Sequence, residues 1–452
     1  MTPTALFLPE GLARMPPEPS IPFRQAMLFW LKLGFIGFGG PAGQIALMHR
    51  EIVERRRWLS ESRFLHALNY CMLLPGPEAQ QLATYLGWLM HRTWGGIIAG
   101  TLFILPSLFI LIGLSWVYIT QGQQPLVAGL FYGLKPAITA IVVQATWRIG
   151  SRVLHNAALW GIALAAFVAL FGLGLPFPLI VLGAGLVGYL GGRRRPQLFQ
   201  TGRANTEDSI AEAPLAQAAH TRLHWPRLFG LLACGAALWC LPMAALTLLF
   251  GWQGTFTQMA WFFTKAALLT FGGAYAVLPY VYQGAVDHYG WLTPTQMIDG
   301  LALGESTPGP LIMLVAFVGF VGGYVQAQFG ADQAFVAGAL AACLVTWFTF
   351  LPSFLFILIG APLVERTRRQ LRFTAPLTAI SAAVVGVILN LALFFAYHVF
   401  WPHGFAEGID GLALGIALLA AAGLLVLRRS VLEVLIACAL AGLLVVLYGH
   451  VL

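Results

Sequence analysis

The chain has 452 residues, of which 59% are hydrophobic and only 9% are charged, and its formal net charge is +8 at pH 7. A soluble domain carries roughly 25% charged residues, so this chain lacks the polar surface that would keep it in water. The positive charge does not indicate nucleic-acid binding, because the arginines lie between apolar segments, as is typical of loops in membrane proteins. The five cysteines form no Cys-x-x-Cys pair, so neither a metal site nor a disulfide framework is indicated, and we predict no cofactor. The composition therefore predicts an all-α polytopic membrane protein.

A polar, proline-rich tail, residues 1–22, opens the chain and is predicted to be cytoplasmic. Six apolar segments follow, and a stretch of about 20 apolar residues is enough to cross ~30 Å of hydrocarbon. They occupy roughly residues 23–48, 64–90, 94–119, 125–147, 153–171 and 175–191. We assign residues 23–192 to a first repeat.

A basic stretch, residues 193–227, is the one obvious linker, and we predict that it is cytoplasmic. A connecting transmembrane helix is predicted over 228–254, and residues 255–452 form the second repeat. Six further apolar segments lie in that repeat, at roughly 256–282, 296–328, 333–361, 373–400, 409–427 and 431–450.

The two halves are related by an internal repeat with a shift of 233 residues. Lys32 corresponds to Lys265, Phe38-Gly39-Gly40 to Phe271-Gly272-Gly273, and Trp58-Leu59 to Trp291-Leu292. Pro75-Gly76-Pro77 corresponds to Pro308-Gly309-Pro310 in the same ungapped register, and Leu105-Pro106-Ser107 recurs as Leu351-Pro352-Ser353. A lysine, a Trp-Leu pair and a Pro-Gly-Pro sequence kept in one register indicate duplication of a six-segment unit.

The single extra segment between the repeats predicts that the second repeat is inverted relative to the first, as in many secondary transporters. Thirteen full crossings would put every arginine-rich loop in the cytoplasm except the loop Arg50–Arg57. That exception disappears if the first two segments of each repeat are re-entrant hairpins, which leaves nine full crossings. We favour the hairpin alternative. Both alternatives put the N-terminus in the cytoplasm and the C-terminus in the periplasm of an inner-membrane protein.

Each repeat contains two places where an apolar helix has to break, because glycine permits a sharp reversal and proline cannot continue the helical hydrogen bonds. Simple kinks are the alternative reading. Broken backbone at membrane depth is tolerated where it lines a cavity, and a helix that restarts there offers free N–H groups to an anion. We therefore predict a substrate-binding site at Gly39, Gly40, Pro75, Gly76, Pro77, Gly272, Gly273, Pro308, Gly309 and Pro310.

Lys32 and Lys265 lie within apolar stretches at equivalent positions. Ionisable groups inside a membrane are usually functional, so we predict that both lysines supply charge to a bound dianion; snorkelling to an interface is the alternative. A lysine also releases an anion more readily than a bidentate arginine does. Glu78, Asp299 and Glu305 are candidates for proton coupling or for ion pairs with the lysines, and we place Lys135 at an interface.

The motifs Phe38-Gly39-Gly40-Pro41, Trp58-Leu59, Leu74-Pro75-Gly76-Pro77 and Leu105-Pro106-Ser107, each with an echo in the second half, resemble those of the chromate ion transporter family in its long, two-domain form. The resemblance covers about residues 23–452, and Ala274 departs from it where the first half has Pro41. It implies efflux of chromate from the bacterial cytoplasm and chromate resistance, with sulfate as a related anion. The alternatives are a membrane-embedded enzyme and an assembly subunit without transport activity. The oligomeric state stays open, a homodimer being one alternative.

Overall fold

The computed structural model describes residues 21–199, 225–364 and 374–449, and within these ranges the chain folds into helices without a β-strand. Most of the predicted N-terminal tail, the greater part of the predicted linker and the cluster Arg366, Arg368 and Arg369 lie outside the described residues. The all-α prediction is confirmed. Six of the described helices are long and apolar enough to cross a membrane: Glu78–Gln121, Pro125–Val153, Leu228–Phe250, Ala331–Ala361, Ala375–Phe400 and Val431–Gly449.

The first repeat contains seven helices, the fourth of which is interrupted by non-helical backbone at His91 and Arg92. Their bounds are α1 Phe23–Ile36, α2 Gly40–His49, α3 Glu61–Cys71, α4 Glu78–Gln121, α5 Pro125–Val153, α6 Ala157–Phe171 and α7 Phe177–Arg194. The connecting helix α8, Trp225–Phe250, leads to the second repeat. That repeat comprises α9 Thr255–Leu269, α10 Ala274–Tyr282, α11 Pro294–Ser306, α12 Leu314–Gln326, α13 Ala334–Val364, α14 Thr374–Phe400, α15 Gly411–Ala421 and α16 Val431–Gly449.

The first apolar segment of each repeat reverses direction at its Phe-Gly-Gly break. Phe29 in α1 contacts Trp58, which lies beyond the end of α2, with ring centroids 5.2 Å apart. The equivalent pair in the second repeat, Phe262 and Trp291, is 5.7 Å apart. A helix that continued across the break would carry residue 58 far from residue 29, because an α-helix rises 1.5 Å per residue. Each segment is therefore a helical hairpin.

The second apolar segment of each repeat reverses at Pro-Gly-Pro. Gly300 in α11 packs against Phe317 in α12, and the two residues lie at similar distances on either side of the break. In the first repeat, Tyr70 of α3 and Tyr85 of α4 are 5.7 Å apart between ring centroids. The four short broken segments thus have the hairpin geometry that the arginine distribution favoured.

The backbone repeats its irregular features in the two halves. A π-helical turn at Arg50–Arg55 recurs at Gln283–His288, 233 residues later. Left-handed backbone angles recur with the same shift, in the pairs Gly39 and Gly272, Gly40 and Gly273, Arg57 and Gly290, and Gly76 and Gly309. The duplication inferred from a few motifs therefore extends to the detailed path of the chain.

Helices of each repeat pack against helices of the other repeat, so the two repeats do not form separate bundles that lie side by side. Helix α5 of the first repeat crosses α16 of the second through Gly133, which contacts Cys438 and Gly442. Helix α14, the counterpart of α5, crosses α6 through Gly386 and Ala163. Small residues at such crossings allow the close backbone approach that stabilises helix pairs in membranes. Each repeat therefore depends on the other for its packing.

Candidate functional site

The break loops of the two repeats meet at the centre of the molecule through a reciprocal pair of hydrogen bonds. The Gly309 N–H donates to the Gly37 carbonyl at 3.0 Å, and the Gly76 N–H donates to the Thr270 carbonyl at 2.7 Å. Gly37 and Thr270 are equivalent positions, as are Gly76 and Gly309. The two donors are therefore equivalent to each other, and so are the two acceptors. Such a reciprocal pair of contacts indicates two-fold symmetry.

The Leu-Pro-Ser motifs complete this crossing. A Cβ built on Gly309 would lie 2.6 Å from Cβ of Ser107, and one built on Gly76 would collide with the hydroxyl of Ser353. The φ angles of these glycines, +109° and +127°, also disfavour any side chain. The structure thus brings the predicted residues Pro75–Pro77 and Pro308–Pro310 together, each loop facing the serine of the other repeat.

Three buried glutamines line the first-repeat side of the crossing. Gln44 Nε2 donates to the Gly37 carbonyl at 2.9 Å and also to the Gly309 carbonyl, and Gln81 Nε2 donates to the Pro75 carbonyl at 2.7 Å. The Oε1 atoms of Gln44, Gln80 and Gln81 are buried, and none has a hydrogen-bond partner within the described part of the chain. Their counterparts, Val277, Met313 and Leu314, are apolar. The backbone of the crossing is therefore symmetric, but the buried glutamines occur in the first repeat and have apolar equivalents in the second.

A cavity of about 1070 Å³ adjoins the crossing and is lined by both repeats. Helices α2, α3 and α5 form one wall, and the start of α10 with Ser381 of α14 forms the other. The predicted residues Gly272, Gly273 and Glu78 line this cavity. Its other ionisable lining residues are His49, Arg50, Glu54, Glu61, Arg148, Arg152 and Tyr275.

One carboxyl group lines this cavity beside the start of α10, and another lies behind that wall. A Cβ built on Gly273 would be 3.9 Å from Glu78 Oε1, so the Glu78 carboxyl approaches the start of α10. The start of a helix carries partial positive charge. Behind this wall Tyr275 donates a hydrogen bond to Glu305. Both Tyr275 and Glu305 are buried, and the Arg148 guanidinium is near enough to interact electrostatically with both.

Asp299 belongs to a separate ionic contact. Its carboxylate lies 3.4 Å from Lys135 Nζ and accepts a hydrogen bond from Tyr118 at 2.9 Å. Asp299 therefore forms an ion pair, but with Lys135 of α5 and not with the two predicted lysines. This pair joins α5 of one repeat to α11 of the other, and the position of Lys135 at a membrane interface stays a prediction.

The structure brings neither Lys32 nor Lys265 to the cavity. Lys32 is exposed on the outer face of α1 between Leu28 and Phe35, which are also exposed. Lys265 is half-buried and lies over the ring of Trp261 at 5.6 Å. Their predicted part in anion binding stays a prediction, and their positions fit the snorkelling alternative.

Sequence reasoning missed Arg148, Arg152, Tyr275 and Gln44. Arg148 and Arg152 were treated only as markers of a cytoplasmic loop. Their spacing of four residues places both on one face of α5, and that periodicity was the available signal. Across residues 21–199, 225–364 and 374–449, no group of three or more His, Cys, Asp or Glu side chains is placed to hold a metal ion.

Two repeats related by a two-fold axis, broken helices that meet at its centre and a charged cavity between them define a membrane transporter of the inverted-repeat class. The family model for the chromate transporter matches residues 24–189 and 257–443. The chain belongs to this family.

The chain is also similar to several curated proteins along most of its length. It is 34% identical over 439 residues to the chromate transport protein of Pseudomonas aeruginosa, covering 95% of this chain and 94% of that protein. It is 28% identical over 379 residues to the chromate transport protein of Cupriavidus metallidurans, covering 84% of each. A probable chromate transport protein of Synechococcus elongatus is 28% identical over 372 residues, covering 82% of this chain and 84% of that protein. No solved structure matches the chain.

Proposed function

We propose that this protein is a secondary transporter that exports chromate, or a related tetrahedral oxyanion such as sulfate, across the bacterial inner membrane. Export of chromate would confer chromate resistance. The observation that carries the proposal is the cavity between the repeats, which Arg148, Arg152 and the start of α10 line beside the broken helices, together with the Glu78 carboxyl. The relatives named chromate transport proteins support the choice of anion.

The exchange of partners between repeats supports a mechanism of alternating access. Because the two halves are related by a two-fold axis, each can adopt the conformation of the other, and a cavity open at one end then becomes a cavity open at the opposite end. Two backbone hydrogen bonds, Gly309 to Gly37 and Gly76 to Thr270, join the central loops of the two repeats, and Gln44 adds a side-chain hydrogen bond to the Gly309 carbonyl. We infer that these loops move as the cavity changes sides, and that Glu78 and Glu305 are coupling residues.

The positions of arginines around the cavity support its orientation. Arg50, Arg148 and Arg152 all line it, so the end of the first hairpin and the end of α5 lie at one end of the molecule. We infer that this end is cytoplasmic, because Lys and Arg concentrate in cytoplasmic loops. The resulting arrangement has four re-entrant hairpins, nine crossings, a cytoplasmic N-terminus and a periplasmic C-terminus.

Transport into inside-out membrane vesicles tests the proposal. Vesicles containing the protein should accumulate radiolabelled chromate faster than vesicles from the same cells without it, because export from the cell is uptake into such vesicles. A parallel assay with radiolabelled sulfate measures the preference between the two oxyanions. Equal rates with and without the protein, for both anions, would show that the proposed function is wrong.

A further inference from the structure

We propose that Arg148 is the residue that binds the oxyanion in the cavity, and that Glu305, held by Tyr275, competes with the anion for it. This inference rests on the proposed function. Arg148 lines the cavity from α5 and is half-buried. Within the described residues its guanidinium forms no salt bridge and donates no hydrogen bond, and it interacts electrostatically with Glu305 and Tyr275. A half-buried cation without a closely bound counter-ion is costly unless an anion joins it.

The surroundings of Arg148 suit a tetrahedral oxyanion. The same cavity is lined by Gly272, Gly273 and Ser381, and a Cβ built on Gly272 would be 3.8 Å from the Ser381 hydroxyl. The glycines bring the backbone at the start of α10 to the cavity wall without covering it with side chains. A planar guanidinium binds two oxygens of a tetrahedral anion at once, and a hydroxyl and backbone N–H groups can reach the others.

Glu305 gives this cation a way to release its anion. Its carboxyl is buried behind the cavity wall and accepts a hydrogen bond from Tyr275, which itself lines the cavity. Tyr275 thereby keeps the Glu305 carboxyl near Arg148, while the carboxyl stays hydrogen-bonded to the Tyr275 hydroxyl. When the carboxyl turns to the guanidinium, it displaces the oxyanion, so a strong bidentate grip does not prevent turnover. Position 72, the equivalent of Glu305 in the first repeat, is Met72, and the counterpart of Tyr275 is Ala42. The Tyr275–Glu305 pair of the second repeat therefore has no equivalent at positions 42 and 72 of the first repeat.

Single substitutions separate this role from a general need for positive charge. We expect Arg148→Gln to reduce the initial rate of anion uptake into inside-out vesicles by about tenfold or more at subsaturating anion, the loss expected for a charge-assisted pair. Arg193→Gln is the matched control, because Arg193 lies at the end of α7 against Tyr189, outside the cavity. It should transport like the wild type. Membrane abundance and the gel-filtration profile of each purified variant report folding.

Competition by Glu305 predicts effects of opposite sign on anion affinity. Glu305→Gln should lower the KM for the anion several-fold, because the competing charge is gone. Tyr275→Phe should raise the KM, because Glu305 is released to pair with Arg148. Neither change should alter the KM further in an Arg148→Gln background, since coupled residues give non-additive effects. A wild-type KM in Arg148→Gln, or equal effects of Glu305→Gln with and without Arg148, would overturn the inference.

A binding measurement keeps the test independent of transport. The wild-type protein purified in detergent should be stabilised against heat by chromate or sulfate, because a ligand that binds only the folded state raises its stability. Arg148→Gln should lose this shift, and Arg148→Lys should keep part of it. If the wild-type protein binds an oxyanion but vesicles show no transport, the proposed function fails while the site stands. If Arg148→Gln binds like the wild type, the site fails.

Discussion

The ion pair between Lys135 and Asp299 joins the two repeats through one side chain from each. Asp299 is buried and accepts a hydrogen bond from Tyr118, and Lys135 is about a quarter exposed. Removing one partner of a buried pair leaves an uncompensated charge and typically costs about 3–5 kcal/mol. We expect Lys135→Met to destabilise the protein by somewhat less, because the lysine side chain is partly exposed. Thermal unfolding of the purified protein measures this loss.

The double variant Lys135→Met/Asp299→Leu decides whether the loss comes from the unpaired carboxylate. It should recover most of the stability, because an apolar pair of similar volume replaces the ion pair. Lys32→Met is the matched control, since this exposed lysine forms no salt bridge within the described residues, and its effect should stay within about 0.5 kcal/mol. If the double variant is less stable than Lys135→Met, the ion pair itself contributes stability and our account is wrong.

The break loops at Gly76 and Gly309 determine how the helices restart where the two repeats meet. Gly76 and Gly309 both have left-handed backbone and both face a serine of the other repeat. We expect Gly76→Ala and Gly309→Ala each to cost about 1–3 kcal/mol in stability from backbone strain alone. Both should also abolish transport, because the added methyl group separates loops that have to contact each other. Thermal unfolding and vesicle uptake measure the two effects.

Gly161→Ala provides the control within a helix. Within the described residues, no heavy atom other than the neighbouring backbone of α6 lies within 4 Å of a Cβ built on Gly161, and alanine favours a helix over glycine by roughly 1 kcal/mol. This variant should be at least as stable as the wild type and should transport normally. A normal transport rate in Gly76→Ala or Gly309→Ala would show that the close contact of the loops is dispensable.

The whole molecule should present equivalent positions of its two repeats to opposite sides of the membrane. Arg55 and His288 occupy the same position of the two π-helical turns and are both exposed. In a background lacking the five native cysteines, His288→Cys should react with an impermeant thiol reagent in intact cells. Arg55→Cys should react only after the inner membrane is opened. This difference follows from inversion of the second repeat.

Labelling of both positions from the same side would contradict the inverted arrangement. Labelling of Arg55→Cys from outside would favour thirteen full crossings, because that alternative alone puts the Arg50–Arg57 loop in the periplasm. The native cysteines have to be removed first, since Cys234, Cys240 and Cys343 are exposed.

The plan of the molecule could be predicted from the sequence because a duplication is a property of the chain in one dimension. Equal spacing of Pro75-Gly76-Pro77 and Pro308-Gly309-Pro310 does not depend on how the halves pack. Glycine and proline in an apolar helix predict a break from local sterics alone. The distribution of arginines also favoured re-entrant hairpins over full crossings, because the cost of moving charge through lipid acts on each loop separately.

Only the tertiary structure decided which charged groups meet. Lys32 and Lys265 satisfied every sequence criterion for a site, yet the rotation of α1 points Lys32 outward and Lys265 packs over Trp261. Arg148 and Glu305 are far apart in sequence, and they approach because α5 and α11 belong to repeats that exchange partners. A repeat shift records which positions are equivalent, but contacts between the repeats depend on helix rotation and crossing. These are set by the packing of side chains from both halves at once.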